Sequence, residues 1–299
     1  MAAVIVKDFD EAVLGQIAER ANSALRDLKR SMREQFGEAP AASYTADQAG
    51  AAQGVIAALA EVDRVFAGYR LPESISYCDC CTDPELVGRL LSVSRDDLSE
   101  DDVASVAGSL LYTIGDANDL RYFVPRFCRD TLVVPLYDID SVFARFQRAG
   151  FDEWPDTERR AVRNFLGAAW KSALIAGSRR NLSELTDPWL NILDSMASLG
   201  FLGDALIIWA VEHGDAADSR LLDLLDFLEV GSGSISVSGA GGNSDNSAAY
   251  DVLEAWLRSP AVRARIDAVL ESVRFSDREL AQRMDSVLRA LASRPENSP

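Results

Sequence analysis

Apolar residues recur at three- and four-residue spacing along most of this chain, and that spacing predicts helices. Leu14, Ile17, Ala18, Ala21, Leu25, Leu28 and Met32 line one face of a helix over 10–35, which Gly37 and Pro40 end. Thr45 is placed to cap a second helix, with Ile56, Leu59, Val62, Phe66 and Tyr69 on one face and an Ala-rich stretch, 49–60, that permits close helix contact. Pro72 opens a loop with three cysteines. Asp83-Pro84 then sets an N-cap and a first helical position, a signal repeated at Asp187-Pro188. Ser99 caps a helix over 100–114. Pro125 is expected to kink or split the helix that follows. Leu132-Val133-Val134-Pro135-Leu136 is too short and too Pro-broken for a central strand and reads as a buried connector. Asp140 precedes a helix through Ala149 that Gly150 ends, and Asp156 caps one carrying Val162, Phe165, Leu166, Ala169, Trp170 and Leu174. A polar interval over 177–186, basic at Arg179-Arg180, marks a joint. A helix over 188–199 follows, then Ala205–Val211, apolar all round and therefore expected to be centrally buried. Leu221, Leu222, Leu225 and Leu228 carry a helix to about Val230, and 231–247 is a Gly/Ser-rich run expected to be a loop without a core. Helices near 248–258, 260–273 and 277–292 close the pattern, the last with Ser276 and Glu279 as a capping box. The chain reads as all-α, with Val4-Ile5-Val6 the one strand candidate.

One stretch occurs twice: Gly115-Asp116-Ala117-Asn118-Asp119-Leu120-Arg121 returns as Gly214-Asp215-Ala216-Ala217-Asp218-Ser219-Arg220. Each copy reads as a corner between antiparallel helices. The glycine suits a left-handed position past a helix end, the first Asp an N-cap, and the second Asp the acidic place of a capping box. A repeated helix-turn-helix implies stacked helical pairs. The corner resembles that of HEAT-type repeats. The block 99–174, with Gly115-Asp116, then Tyr122-Phe123-Val124-Pro125-Arg126 and Phe151-Asp152-Glu153-Trp154-Pro155, resembles a set of uncharacterised bacterial all-helical proteins with HEAT-like packing. The resemblance implies stacked antiparallel helical hairpins, as a HEAT-like α-solenoid or an irregular helical bundle, and carries no assigned activity. The helical pattern, with its joint near 177–186, divides the chain into an N-terminal helical hairpin (1–70), a first HEAT-like block with the cysteine loop (71–178) and a second HEAT-like block with the Gly/Ser-rich loop (179–299).

Charge and cysteine narrow the function. Thirty basic against 47 acidic residues give a formal charge of −17 over 299 residues, which argues against nucleic-acid binding and against docking on anionic membranes. No run approaches a membrane span, and Met1–Asp10 lacks the basic and apolar regions of a signal peptide, so a cytoplasmic location is expected. Cys78 and Cys81 have C-x-x-C spacing, with Cys80 between them and Cys128 on a later helix. A closed zinc site would need all four cysteines, in an awkward arrangement, so ordinary reduced thiols are the favoured reading, with zinc or a redox pair as alternatives and no cofactor expected. Asp96, Asp97, Asp101 and Asp102 form an acidic run without the ligand spacing of an EF-hand. They either favour the next helix's positive end or form a docking site for a cationic partner. The lone histidine, His213, lies before the second corner with no nucleophile motif beside it. Trp170, Trp189, Trp209 and Trp256 either fill the core or line a pocket. The balance favours a non-catalytic, acidic protein-binding protein with a basic partner, of which an immunity protein that neutralises a bacterial toxin is a concrete form. The alternatives are an enzyme with an unrecognised helical active site and a homo-oligomeric scaffold, the oligomeric state being unspecified by the sequence.

Overall fold

The computed structural model of the chain describes residues 45–70, 72–130, 139–177, 189–230, 235–237, 247–274 and 277–293. The helix expected over 10–35, the connector at 132–136, Arg179-Arg180, Asp187-Pro188 and Ser276 lie outside them. The chain divides into two compact units, Met1–Ala49 and Gly50–Pro299. In the first, Thr45 and Gln48 exchange bonds as a capping box: Gln48 N–H donates to Thr45 Oγ1 at 3.2 Å, and Thr45 N–H to Gln48 Oε1 at 3.1 Å. This opens helix α1, Ala46–Val65.

The described residues form twelve α-helices and one two-stranded hairpin, so the fold is all-α. After α1 come α2 (Pro84–Leu90), α3 (Glu100–Ser109), α4 (Ala117–Asp130), α5 (Ile139–Arg148), α6 (Asp156–Ala176), α7 (Trp189–Ser198), α8 (Leu202–Val211) and α9 (Asp215–Phe227). The strands β1 (Leu228–Val230) and β2 (Ile235–Val237) follow, then α10 (Ser247–Arg258), α11 (Pro260–Val273) and α12 (Arg278–Ser293). Two helices organise the packing of the second unit. Helix α6 touches α7, α8 and α9, and α9 in turn touches α11 and α12. One apolar cluster runs from Val55 to Leu291. No described helix is long and apolar enough to cross a membrane.

Local chemistry explains most boundaries. Asp83 caps α2 by accepting from Glu85 N–H at 2.9 Å, with Pro84 in the first turn, and Ser99 caps α3 by accepting from Asp102 N–H at 3.1 Å. Helix α3 ends at Ser109 rather than 114, because Leu111 turns left-handed (φ 64°) and Ile114 bridges to Tyr77 and Leu110. Pro125 neither splits nor ends α4, which runs unbroken from Ala117 to Asp130. Pro125 leaves the Arg121 carbonyl without its helical donor; one residue on, the Arg95 guanidinium donates to the Tyr122 carbonyl at 2.6 Å. Asp156 stands one place inside α6, whose N-cap is Pro155. The capping bond of α12 comes from Asp277, which accepts from Leu280 N–H at 3.0 Å.

The two Gly-Asp corners are built differently. At the first, Asp116 accepts from Asn118 N–H at 2.7 Å and Asp119 N–H at 3.1 Å, and Asp119 accepts in return from Asp116 N–H at 2.9 Å. At the second, Gly214 itself is the N-cap, without a side-chain cap bond, and Asp215 is the first helical residue. Asp218 accepts from Arg265 Nε of α11 at 2.6 Å, and the same guanidinium donates to the Trp209 and Glu212 carbonyls at the end of α8. What the copies share is the arginine. Arg121 lies over Trp154 at 4.8 Å and pairs with Glu158 at 3.4 Å. Arg220 lies over Trp189 at 5.3 Å and pairs with Asp223 at 3.2 Å.

The end of α9 corrects the sequence reading. The helix stops at Phe227, and Leu228, Glu229 and Val230 pair antiparallel with Val237, Ser236 and Ile235. The Gly/Ser-rich run thus contains a core strand, with Ile235 and Val237 buried. Its Ile-Ser-Val alternation has the period of a strand, whose alternate residues face one side.

Candidate functional site

Helix α8 is seated by Ala205, Leu206 and Trp209, which are buried against α6, α7 and α10. Leu202 is buried at its start, but the opposite face is open. Ile207 and Val211, four residues apart and so on one face, are each 66% exposed. Gly203 and Ala210 are exposed as well. The all-round apolar composition that predicts a central helix therefore leaves an aliphatic face in solvent. Beside it lies an open groove of about 560 Å³, walled by Gly54, Ala57, Ala58 and Glu61 of α1, Asn164, Gly167 and Ala168 of α6, and Ile208 of α8. Small residues make these walls shallow, so a visitor's side chains can approach the helix backbones. The Ala-rich stretch of α1 borders this groove. At its rim Arg163 donates to Asp204 at 2.6 Å and lies over the Phe201 ring at 5.4 Å.

Two of the aspartates in the acidic run 96–102, Asp96 and Asp102, are tied down by the chain's own cations. Asp102 is buried and takes Arg89 Nη2 at 2.8 Å and Nε at 3.1 Å on one oxygen; these bonds hold its carboxyl below the ordinary range. Asp96 accepts from Arg129 Nη1 at 2.8 Å, while the other arm of Arg129 reaches Asp63 at 3.3 Å. Asp97 accepts from Ser94 Oγ at 3.0 Å. Asp101 is exposed beside them. Arg126 binds the same loop by its backbone, donating to the carbonyls of Arg95 at 3.0 Å and of Asp96 and Leu98 at 3.2 Å, and pairs with Asp130 at 2.7 Å. Helix α4 thus supplies cations to an acidic loop some thirty positions earlier, a pairing that no local spacing reveals.

The cysteines separate into two environments. Cys128 is wholly buried on α4, and burial pushes its thiol well above the ordinary value. Cys78, Cys80 and Cys81 gather in the exposed loop before α2, their sulfurs all within 4.8 Å of one another. The Cys78 and Cys80 sulfurs are 3.0 Å apart and those of Cys80 and Cys81 3.4 Å. Hydrogen bonding with Cys80 draws the Cys78 thiol below its ordinary value, while hydrogen bonds to Cys80 and Cys78, with their charge, push Cys81 up to about 11. The backbone under them is anchored. Cys78 N–H donates to the Thr113 carbonyl at 2.8 Å, and the N–H groups of Cys81 and Thr82 both donate to the Cys78 carbonyl at 3.0 Å.

The tryptophans belong to the core rather than to a pocket. Trp170 and Trp209 meet edge to face at 5.2 Å, Trp209 and Trp256 lie at 5.2 Å, and Trp170 and Trp189 at 6.3 Å. The indole N–H groups of Trp170 and Trp209 are satisfied by the carbonyls of Ala205 at 2.9 Å and Ala217 at 3.1 Å. His213 is exposed just after α8. The exposure of Ile207 and Val211 is not legible in the sequence, because a helix with apolar residues on every side gives no sign of which side is left open. Comparison of the chain with protein-family models, with curated proteins and with solved structures finds no match.

Proposed function

We propose that this chain is a non-catalytic binding protein that docks a basic protein on the aliphatic face of α8 and its neighbouring groove. The exposure of Ile207 and Val211, a turn apart on one helix, carries this reading. Exposed aliphatic surface gains about 25 cal/mol for each Å² it buries, so a partner covering this face gains free energy that a polar face would not provide. Glycine and alanine walls let that partner approach closely. The formal charge of −17 favours cationic partners and speeds their encounter at low salt. An immunity protein that blocks a basic toxin is the concrete form of this activity, since it needs affinity and speed but no chemistry of its own.

The test is a comparison of two baits, the tagged wild-type chain and the I207D/V211D variant, in extracts of the native cells at low and moderate salt. The expected result is one basic protein in stoichiometric amount on the wild type, weakened by salt and lost from the variant. Circular dichroism and a thermal midpoint matching the wild type establish that the variant is folded. Recovery of no partner, or of the same partner by both baits, overturns the proposal. A concentration-dependent dimer by light scattering, abolished in I207D/V211D, would instead assign the face to a second copy of the chain.

A further inference from the structure

We infer that Cys78, Cys80 and Cys81 form a three-thiolate site for a thiophilic d10 metal ion, Zn²⁺ or Cu⁺, with the remaining side of the ion facing solvent. The inference stands on different residues from the α8 face and is independent of the proposed function. Its first support is convergence: three sulfurs from four consecutive residues lie within 4.8 Å of one another. Three thiolates around a zinc ion at about 2.3 Å place their sulfurs about 3.8 Å apart, so the observed separations of 3.0 and 3.4 Å need only widen by rotation of exposed side chains. Its second support is a prepared backbone. The loop is tied on one flank by Cys78 N–H to the Thr113 carbonyl and by Gly115 N–H to the Ser76 carbonyl at 2.7 Å. On the other flank the Thr82 hydroxyl reaches the Thr113 carbonyl at 3.3 Å, and Asp83 caps α2. A site held in this way loses little chain entropy when an ion binds. Its third support is accessibility. Cys80 and Cys81 are exposed, where a thiol has no core to fill, unlike the buried Cys128. Thiols are poor hydrogen-bonding groups, so mutual contact is a weak reason for three of them to meet. Soft thiolate sets select Cu⁺ and Zn²⁺. Three sulfurs complete a trigonal Cu⁺ site, whereas Zn²⁺ keeps a fourth position for water or for a donor from another molecule.

The test uses the full chain, purified with reductant and without added metal, and titrated separately with Zn²⁺ and Cu⁺ against a chromophoric chelator. Cd²⁺ serves as a spectroscopic probe of thiolate coordination. The expected result is one equivalent bound per chain, with a thiolate-to-metal charge-transfer band. C78S/C80S/C81S should bind none and C128S should bind as the wild type. Each single Cys→Ser change should weaken binding by more than the roughly 10–100-fold that loss of an outer-shell partner costs. Relative affinity does not identify the ion, because thiolate sets bind Cu⁺ tightly whatever they hold in the cell; the metal retained by the chain as isolated does. Equal uptake by the triple variant, absence of the charge-transfer band, or no uptake by the fully reduced chain overturns the site. Circular dichroism of the triple variant establishes that its loss is local.

Discussion

Gly115 sits at φ +68°, and a Cβ there would come within 2.9 Å of both Asp119 Oδ2 and Leu110 Cδ1. Backbone strain and collision act together, so G115A should lower stability by about 1–3 kcal/mol in a denaturant titration. Gly54 lies inside α1, with no neighbour within 4 Å of the place a methyl group would take, and G54A should raise stability by about 0.5–1 kcal/mol. One residue type thus gives opposite signs at two sites. Asp102 sets an acid dependence. Its carboxyl is held below its ordinary value by Arg89, so its contribution is present above the unfolded pKa and is lost as pH falls through the folded one. Thermal midpoints of D102N should therefore be lower at neutral pH and approach the wild type in acid. Buried Asp130 titrates in the other sense, because burial raises its pKa despite Arg126. Its effect is to favour the fold as pH falls, and D130N should remove that opposing slope.

Helices are legible in the sequence where their ends carry side-chain chemistry. Asp83, Ser99 and the first Gly-Asp corner cap as their spacing predicts, because a cap is a contact between near neighbours in the chain. Elements whose form depends on distant residues are not. The second corner has the letters of the first, yet Asp218 serves Arg265, forty-seven positions away, instead of the helix end. The strand at Ile235–Val237 is hidden in a Gly/Ser run, since two core residues among many small ones leave composition unchanged. I235A should cost about 2–5 kcal/mol by thermal or chemical unfolding, the cost of a core cavity, where a loop residue would cost little. The candidate sites divide in the same way. The three-cysteine loop is plain in the sequence, but its separation from Cys128 is a tertiary fact. The open side of α8 is set wholly by which neighbours stop short of it.

Across the whole molecule the repeated arginine has a structural role that the repeated letters alone do not disclose. Arg220 is 2% exposed between Trp189 and Asp223. R220M should cost about 3–5 kcal/mol by removing the charge paired with buried Asp223, and R220M/D223L should recover part of that loss, as a denaturant double-mutant cycle would measure. Four of the five tryptophans form a continuous chain of rings, Trp189–Trp170–Trp209–Trp256, while Trp154 stands apart, stacked on Phe146 at 5.3 Å. Indoles at such separations couple their transition dipoles and pass excitation among themselves faster than they emit. The linked four should give a coupled near-ultraviolet dichroic signature that weakens when a link is broken. Light absorbed anywhere along that chain would leave from its lowest-energy ring, so emission reports the loosening of α6 to α10 as a single event, and Trp154 provides a separate lamp for α5 and the start of α6.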